Sequence, residues 1–300
     1  MLFRRTPPPT LTRREMRYWL MKPDPRLRSR VYCYYLAHPV PVADWDPAAA
    51  YKEEELLIPD GHSEIVFTLG GAFERRLAGG ASKGAVMRES YVIGGRSRSV
   101  LTRDLDRVTV AGIKLDPRLM HSLVRAPLGD FGDGTVRLSD LGGRALLELE
   151  DAVALACDSA TRVATVLDQF FLRALADAAP SSARIDALVR DIHAHHGMLS
   201  ILDWARAHRF DPRNIERRFS DAMGMTPKRY ARVIRFKHHY HLLVSGRSSA
   251  EFMDGFHDRS HFNREFRSFV GVPPTARMNA ALEHGTSISD ALLASDLAAA

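Results

Sequence analysis

Cysteine is scarce. The 300-residue chain has two, Cys33 and Cys157, too few for the disulfide framework of a small secreted scaffold and not grouped as a metal knuckle requires. No apolar run reaches the ~18 residues that cross a bilayer. The best stretch, residues 145–157, is broken by Glu148, Glu150 and Asp151. The N-terminus is basic, but Pro7, Pro8 and Pro9 stand where a signal peptide would carry its apolar stretch. Missing too are a Gly-x-Ser-x-Gly elbow, a Walker-type phosphate loop and a His-Glu-x-x-His pair. The Gly-Gly pairs at 70–71, 79–80, 94–95 and 142–143 read as turns. No repeat of solenoid period is present. The expectation is a cytoplasmic protein with no membrane partner, no cofactor and no catalytic residues.

What is present is ordinary in bulk and uneven in detail. Apolar residues make 45% and charged residues 26% of the chain, as in soluble globular proteins. At ~150 residues per domain the length suggests two domains. The formal charge is +6. Divided along the chain it is +7 over residues 1–30, −5 over 31–180, +7 over 181–282 and −3 over 283–300. An acidic middle followed by a basic third is the pattern of a sensing domain joined to a nucleic-acid-binding domain. Residues 1–30, with five prolines, read as a basic, flexible arm.

From residue 31 the pattern is β. Residues 31–36, 64–69, 90–93 and 108–113 are rich in strand formers and separated by Gly, Pro and Asp. They predict a small barrel or sandwich. Asp116-Pro117 starts a helix, and residues 139–178 carry two apolar helical stripes. Pro180-Ser181-Ser182 marks a domain boundary. From 183 to about 280 the chain reads as short helices. The predicted fold class is α+β: an N-terminal small β-barrel or sandwich-like domain with helices over 31–180, an all-α domain over 181–282 and a tail over 283–300.

Two segments of the helical part repeat one plan. In the first, Asp211 caps a helix that begins with Pro212. Ile215, Phe219 and Ala222 form its apolar stripe. Arg213, Arg217 and Ser220 point the other way, with Asn214, Glu216 and Asp221 on the flanks. Arg pairs with guanine, Asn with adenine, and Glu accepts from cytosine in a major groove. Gly224 ends the helix. In the second, Asp258 caps a helix whose stripe is Phe262, Phe266 and Phe269. Ser260, Arg264 and Arg267 point outward, flanked by His261 and Asn263, and Gly271 ends it. Between them residues 228–245 predict one helix of ~25 Å, a spacer able to hold two recognition helices in successive grooves. The base-reading set expected is Arg213, Asn214, Glu216, Arg217, Ser260, Asn263 and Arg264. Lys228, Arg229, Arg232, Arg235, Lys237, Arg259 and Arg267 are the expected phosphate contacts.

These motifs — residues 211–219, 224–230, 255–266 and 271–274 — resemble the DNA-binding domain of AraC/XylS-family bacterial transcription regulators. The resemblance covers roughly residues 183–280. It implies two helix-turn-helix units on one linker helix, with base contact at Arg213, Glu216, Arg217, Ser260 and Arg264. Residues 34–39, 58–67 and 92–95 resemble a sensor domain attached to such regulators, which implies a small-molecule effector. The implied partners are promoter or operator DNA, an effector, a second copy of the chain and, for an activator, RNA polymerase. One departure stands out. Residues 247–254, which hold the scaffold helix of the second unit in this family, are short by about one turn, so the first unit is expected to carry most specificity.

Other readings carry less weight. Nine of the 13 histidines lie in residues 193–261, but His193, His195 and His196, and His238, His239 and His241, lack the Cys or Asp grouping that completes a zinc site. They read as solvated helix faces near phosphates. His62 and Glu64, two apart on a strand, share a face, and with His121 they suggest the alternative of a cupin-like metal-dependent enzyme with a basic helical domain. Tyr32, Tyr34, Tyr35 and Phe67 read as core.

Overall fold

The computed structural model describes residues 11–12, 16–39, 54–79, 83–141, 143–178, 182–244 and 258–274. Eleven strands and eight helices lie among them. A seven-stranded antiparallel sheet has the strand order β1 (Leu11–Thr12), β2 (Met16–Met21), β3 (Val31–Pro39), β10 (Thr109–Leu115), β5 (Ser63–Gly70), β8 (Tyr91–Ile93), β11 (Val136–Arg137). A four-stranded sheet has the order β4 (Glu55–Leu57), β9 (Val100–Asp104), β6 (Phe73–Leu77), β7 (Ala85–Met87). The strands expected at 31–36, 64–69, 90–93 and 108–113 are β3, β5, β8 and β10. The two sheets form an open sandwich-like layer rather than a closed barrel.

Strand alternation decides what each face of the larger sheet meets. Tyr34, Leu36, Ile65, Phe67, Ala111, Ile113 and Leu115 turn to one side. There they bury against α2 (Arg144–Ala156) and α3 (Ala160–Asp177), through Leu146, Leu149, Val153, Val163, Leu167 and Phe171. The Tyr34 hydroxyl donates to Asp168 on α3 at 3.0 Å. Ala37, Val66, Tyr91 and Ile93 turn to the other side and meet Phe73 of the smaller sheet.

The expected arm over residues 1–30 needs correction. β2 pairs with β3 from Met16↔Pro39 to Met21↔Tyr34, and Asp24 caps a 3-10 turn at Pro25–Leu27 whose Leu27 is fully buried. Alternating Met16, Tyr18 and Leu20 supply a strand face that the five prolines hide from a compositional reading. Residues 1–10 lie outside the described residues.

α1 (Pro117–Val124) follows β10, capped by Asp116 as expected. The last helices are α4 (Ala183–Ala194), α5 (Ile201–Ala207), α6 (Pro212–Met223), α7 (Pro227–Val244) and α8 (Arg259–Val270). They share a second core, built on Ile185, Leu188, Ile192, Trp204, Phe219, Tyr230, Phe236, Tyr240 and Phe266. Ile58, from the turn before β5, belongs to that second core. The sheet domain therefore inserts a side chain into the helical one.

Candidate nucleic-acid interface

α5 and α6 form a helix-turn-helix. Ser200 caps α5, accepting from the Asp203 N–H. Asp211 caps α6, accepting from the N–H groups of Arg213 and Asn214 at 3.4 and 3.1 Å. Arg209, at φ 55°, makes the left-handed bend between them. Ile215, Phe219 and Met223 are buried, while Ala222 only borders the core. The stripe thus runs i, i+4, i+8 rather than i, i+4, i+7. Arg213, Asn214, Glu216, Arg217 and Arg218 are exposed.

In the second unit Asp258 accepts from the His261 N–H at 2.6 Å and caps α8. Phe262, Phe266 and Phe269 are buried, and Ser260, Asn263, Arg264 and Arg267 are exposed. The shortened stretch at residues 247–254 lies outside the described residues.

The expected phosphate-contacting residues fall into different surroundings. Lys228, Arg259 and Arg267 are exposed. Arg232 donates both Nε and Nη2 to the Glu265 carboxylate at 3.0 Å, and Arg235 Nη2 joins at 3.2 Å. These two arginines therefore fasten α8 to α7. Arg229 Nη2 donates to Asp133 of the sheet domain at 2.8 Å. Lys237, expected at phosphate, instead lies over the Tyr32 ring, 5.5 Å from its centroid. Burial lowers its pKa.

The histidines also divide. His196 stacks on His238 with centroids 4.1 Å apart, and His239 is buried edge-on to Phe262. His193 contacts the Tyr230 hydroxyl at 2.9 Å, and burial pushes its pKa down to about 4. Among the described residues no three His, Cys, Asp or Glu side chains are grouped as a metal site. His62 stacks on Tyr32 at the boundary of the halves, Glu64 points between the sheets, and His121 contacts the Ala126 carbonyl. These three are not grouped as a metal site, and the metal-enzyme alternative is not favoured.

The sheet domain grips both α6 and α8 at their C-terminal ends. The Ser99 N–H donates to the Phe269 carbonyl at 3.0 Å. Beside it Gly79 and Gly271, at φ 71° and 86°, lie so close that a Cβ on Gly79 would sit 2.8 Å from the Gly271 Cα. At α6, the Gly94-Gly95 turn abuts Gly224, and a Cβ on Gly95 would sit 3.2 Å from the Met223 carbonyl oxygen. α6 also packs on α1 and on the 3-10 turn Leu128–Phe131.

Behind the Gly94-Gly95 turn lies a feature the sequence pattern did not reveal. A cavity of about 130 Å³ separates the two sheets. Its inner end holds buried Glu64, Arg96 and Lys114. Arg96 Nη2 donates to Glu64 at 2.8 Å. Lys114 Nζ lies 2.9 Å from Glu64 and also pairs with buried Asp60. Burial alone would raise both carboxyl pKa values. Lys114, His62 and Arg96 hold Asp60 well below the usual range, and Arg96 and Lys114 hold Glu64 below it. Tyr35 also lines the cavity, while Tyr34 and Phe67 are core on the opposite face. The missed signal was a single charge on the cavity-facing side of each of two otherwise apolar strands: Glu64 in β5 and Lys114 in β10.

Comparison with known proteins bears on both halves. Residues 204–280 match the model of a helix-turn-helix domain, and residues 20–137 match that of a domain of unknown function, DUF6597. No curated protein matches the sequence. Among solved structures, an apo variant of ToxT from Vibrio cholerae is similar at 10% identity, covering 88% of this chain and 96% of that one, with a TM-score of 0.43. ToxT in its P21 form is similar at 13% identity over 77% and 95% of the two chains, with a TM-score of 0.40. Unsaturated fatty acid-bound ToxT is similar at 13% identity over 75% and 90%, with a TM-score of 0.40.

Proposed function

We propose that this chain, whose C-terminal part is an AraC-type helix-turn-helix DNA-binding domain, is a sequence-specific transcription regulator in which two recognition helices read successive major grooves. The observation that carries this reading is the division of α6. Ile215, Phe219 and Met223 bury in the helical core, while Arg213, Asn214, Glu216 and Arg217 stay exposed on a capped helix. Those four match base edges in the major groove. Ser260, Asn263 and Arg264 hold the equivalent exposed positions on α8. Lys228, Arg259 and Arg267 supply phosphate contacts directly. Arg229 joins them when it leaves Asp133.

A small molecule in the inter-sheet cavity modulates this binding. The Gly94-Gly95 turn supports that reading, because its neighbour Arg96 lines the cavity while its glycines touch the end of α6. Coupling of ~1–3 kcal/mol between the two sites is the usual scale. We read the chain as a regulator without catalytic activity, acting in the cytoplasm. A homodimer and, for an activator, RNA polymerase are its further partners. Among the described residues no helix is long and apolar enough to cross a membrane.

The test is selection of duplex DNA from a random pool by the purified full-length chain. Enrichment of a motif with two half-sites about one helical turn apart supports the reading. Binding that falls with salt equally for every sequence refutes sequence-specific recognition.

A further inference from the structure

The inner end of the inter-sheet cavity is unbalanced in charge. Three cations border it or sit just behind it: Arg75, Arg96 and Lys114. Two carboxylates answer them, Glu64 and Asp60. Glu64 is shared between Arg96 and Lys114, and Asp60 is taken by Lys114 and faced by His62. Arg75 has no carboxylate in ion-pair range among the described residues. Its Nη2 is buried with no hydrogen-bond partner, and so is Nη1 of Arg96, a residue only 3% exposed. The acids at the mouth do not fill this role. Glu55 already accepts from Tyr18, and Asp104 is engaged with another group.

Two arginines, each with a buried guanidinium nitrogen that lacks a hydrogen-bond partner, line one small cavity. A carboxylate has two oxygens with which to meet them, and Arg is the side chain suited to such pairing. The rest of the lining is mainly apolar and includes Val66, Ile93, Val108 and Val110. The volume sets the size of the guest. An engineered apolar cavity of ~150 Å³ accepts a six-carbon ring, and this one is about 130 Å³. We infer that the cavity binds a small organic monocarboxylate with an apolar body of about six carbons, its carboxylate held by Arg75 and Arg96. The inference rests on the effector reading above and names the chemical class that the site takes. Burial lowers the Arg75 pKa, as a buried cation without an ion-pair partner requires. An anion beside it reverses that shift.

The experiment is calorimetric titration of the full-length protein with hexanoate, hexanamide, palmitate and inorganic phosphate, with operator affinity measured alongside. Hexanoate is expected to bind one per chain and at least 10-fold more tightly than hexanamide, with palmitate and phosphate weaker than hexanoate. Arg75→Leu is expected to lose hexanoate binding at least 10-fold. It should melt no lower than the wild type, since it removes a cation that lacks a partner. Arg75→Lys should recover part of the binding. The inference is overturned if hexanamide binds as well as hexanoate, if Arg75→Leu keeps the acid's affinity, if phosphate alone saturates the site, or if hexanoate fails to bind at 10 mM. The effector reading fails separately. If hexanoate binds and operator affinity does not move, the anion site stands and the regulatory role falls. If hexanamide binds equally and shifts operator affinity, the role stands and the anion class falls.

Discussion

Asp133 of the sheet domain holds Arg229 of the linker helix. Its Oδ2 accepts from Arg229 Nη2 at 2.8 Å, while its Oδ1 accepts from the Ser97 main-chain N–H at 2.6 Å. Ser97 follows Arg96, so one short path runs from the cavity to a basic residue of α7. On the proposed reading, Asp133 and a DNA phosphate compete for the same guanidinium. Half-exposed pairs of this kind contribute ~0.2–1 kcal/mol. Asp133→Ala is therefore expected to tighten binding to any duplex by about 2- to 5-fold, read by fluorescence anisotropy at fixed salt. Unchanged or weaker binding would show that the pair does not restrain Arg229.

Arg217 stands exposed on α6 and Arg264 on α8. Arg217→Ala is expected to cost ~1–3 kcal/mol on the operator and to relax preference at one base pair. Arg264→Ala is expected to cost less if, as proposed, the first unit carries most specificity. Titration of both variants against operator and scrambled DNA checks the ranking. A larger loss for Arg264→Ala reverses it, and equal losses on both DNAs remove Arg217 from base reading.

The Asp60, Glu64, Lys114 and Arg96 cluster predicts a pH dependence with a definite sign. Both carboxyls are held below their ordinary values of 3.8 and 4.5. A depressed carboxyl contributes stability that is fully present above its unfolded value and is lost as pH falls through the folded one. Melting temperature should therefore hold steady down to about pH 5 and drop below about pH 4. Lys114→Met leaves two buried carboxylates short of a cation, destabilises the protein by ~3–5 kcal/mol and moves the loss to higher pH. Parallel melting curves for both proteins across pH 3–8 would falsify this assignment.

Glu265 receives both Arg232 and Arg235 and is itself largely buried. Charge-assisted hydrogen bonds of this type contribute ~1.5–3 kcal/mol. Glu265→Ala should loosen α8 from α7 without unfolding the first unit. Amide exchange in α8 should rise several-fold, while exchange in α5 and α6 stays constant. If α8 protection is unchanged, the phenylalanine stack alone holds the second unit.

The recognition helices were legible in the sequence because their determinants are local. Asp211 and Asp258 lie within one turn of the N–H groups they cap, Gly224 and Gly271 end the same helices, and a period of 3.6 sorts buried from exposed positions. The register of α6 was still misread by one position, since Met223 and not Ala222 completes the stripe. The strands were legible as strands for the same reason. Their partners were not. Glu64, Arg75, Arg96 and Lys114 come from four stretches of chain, and only the pairing of the sheets sets them around one cavity. Likewise no local pattern marks Asp133 as the partner of Arg229, or Gly79 as the neighbour of Gly271. By itself the sequence determined which faces of α6 and α8 stay exposed, through caps and periodicity. Tertiary structure alone decided what restrains them, because long-range packing desolvates charges and chooses the partners that compensate them.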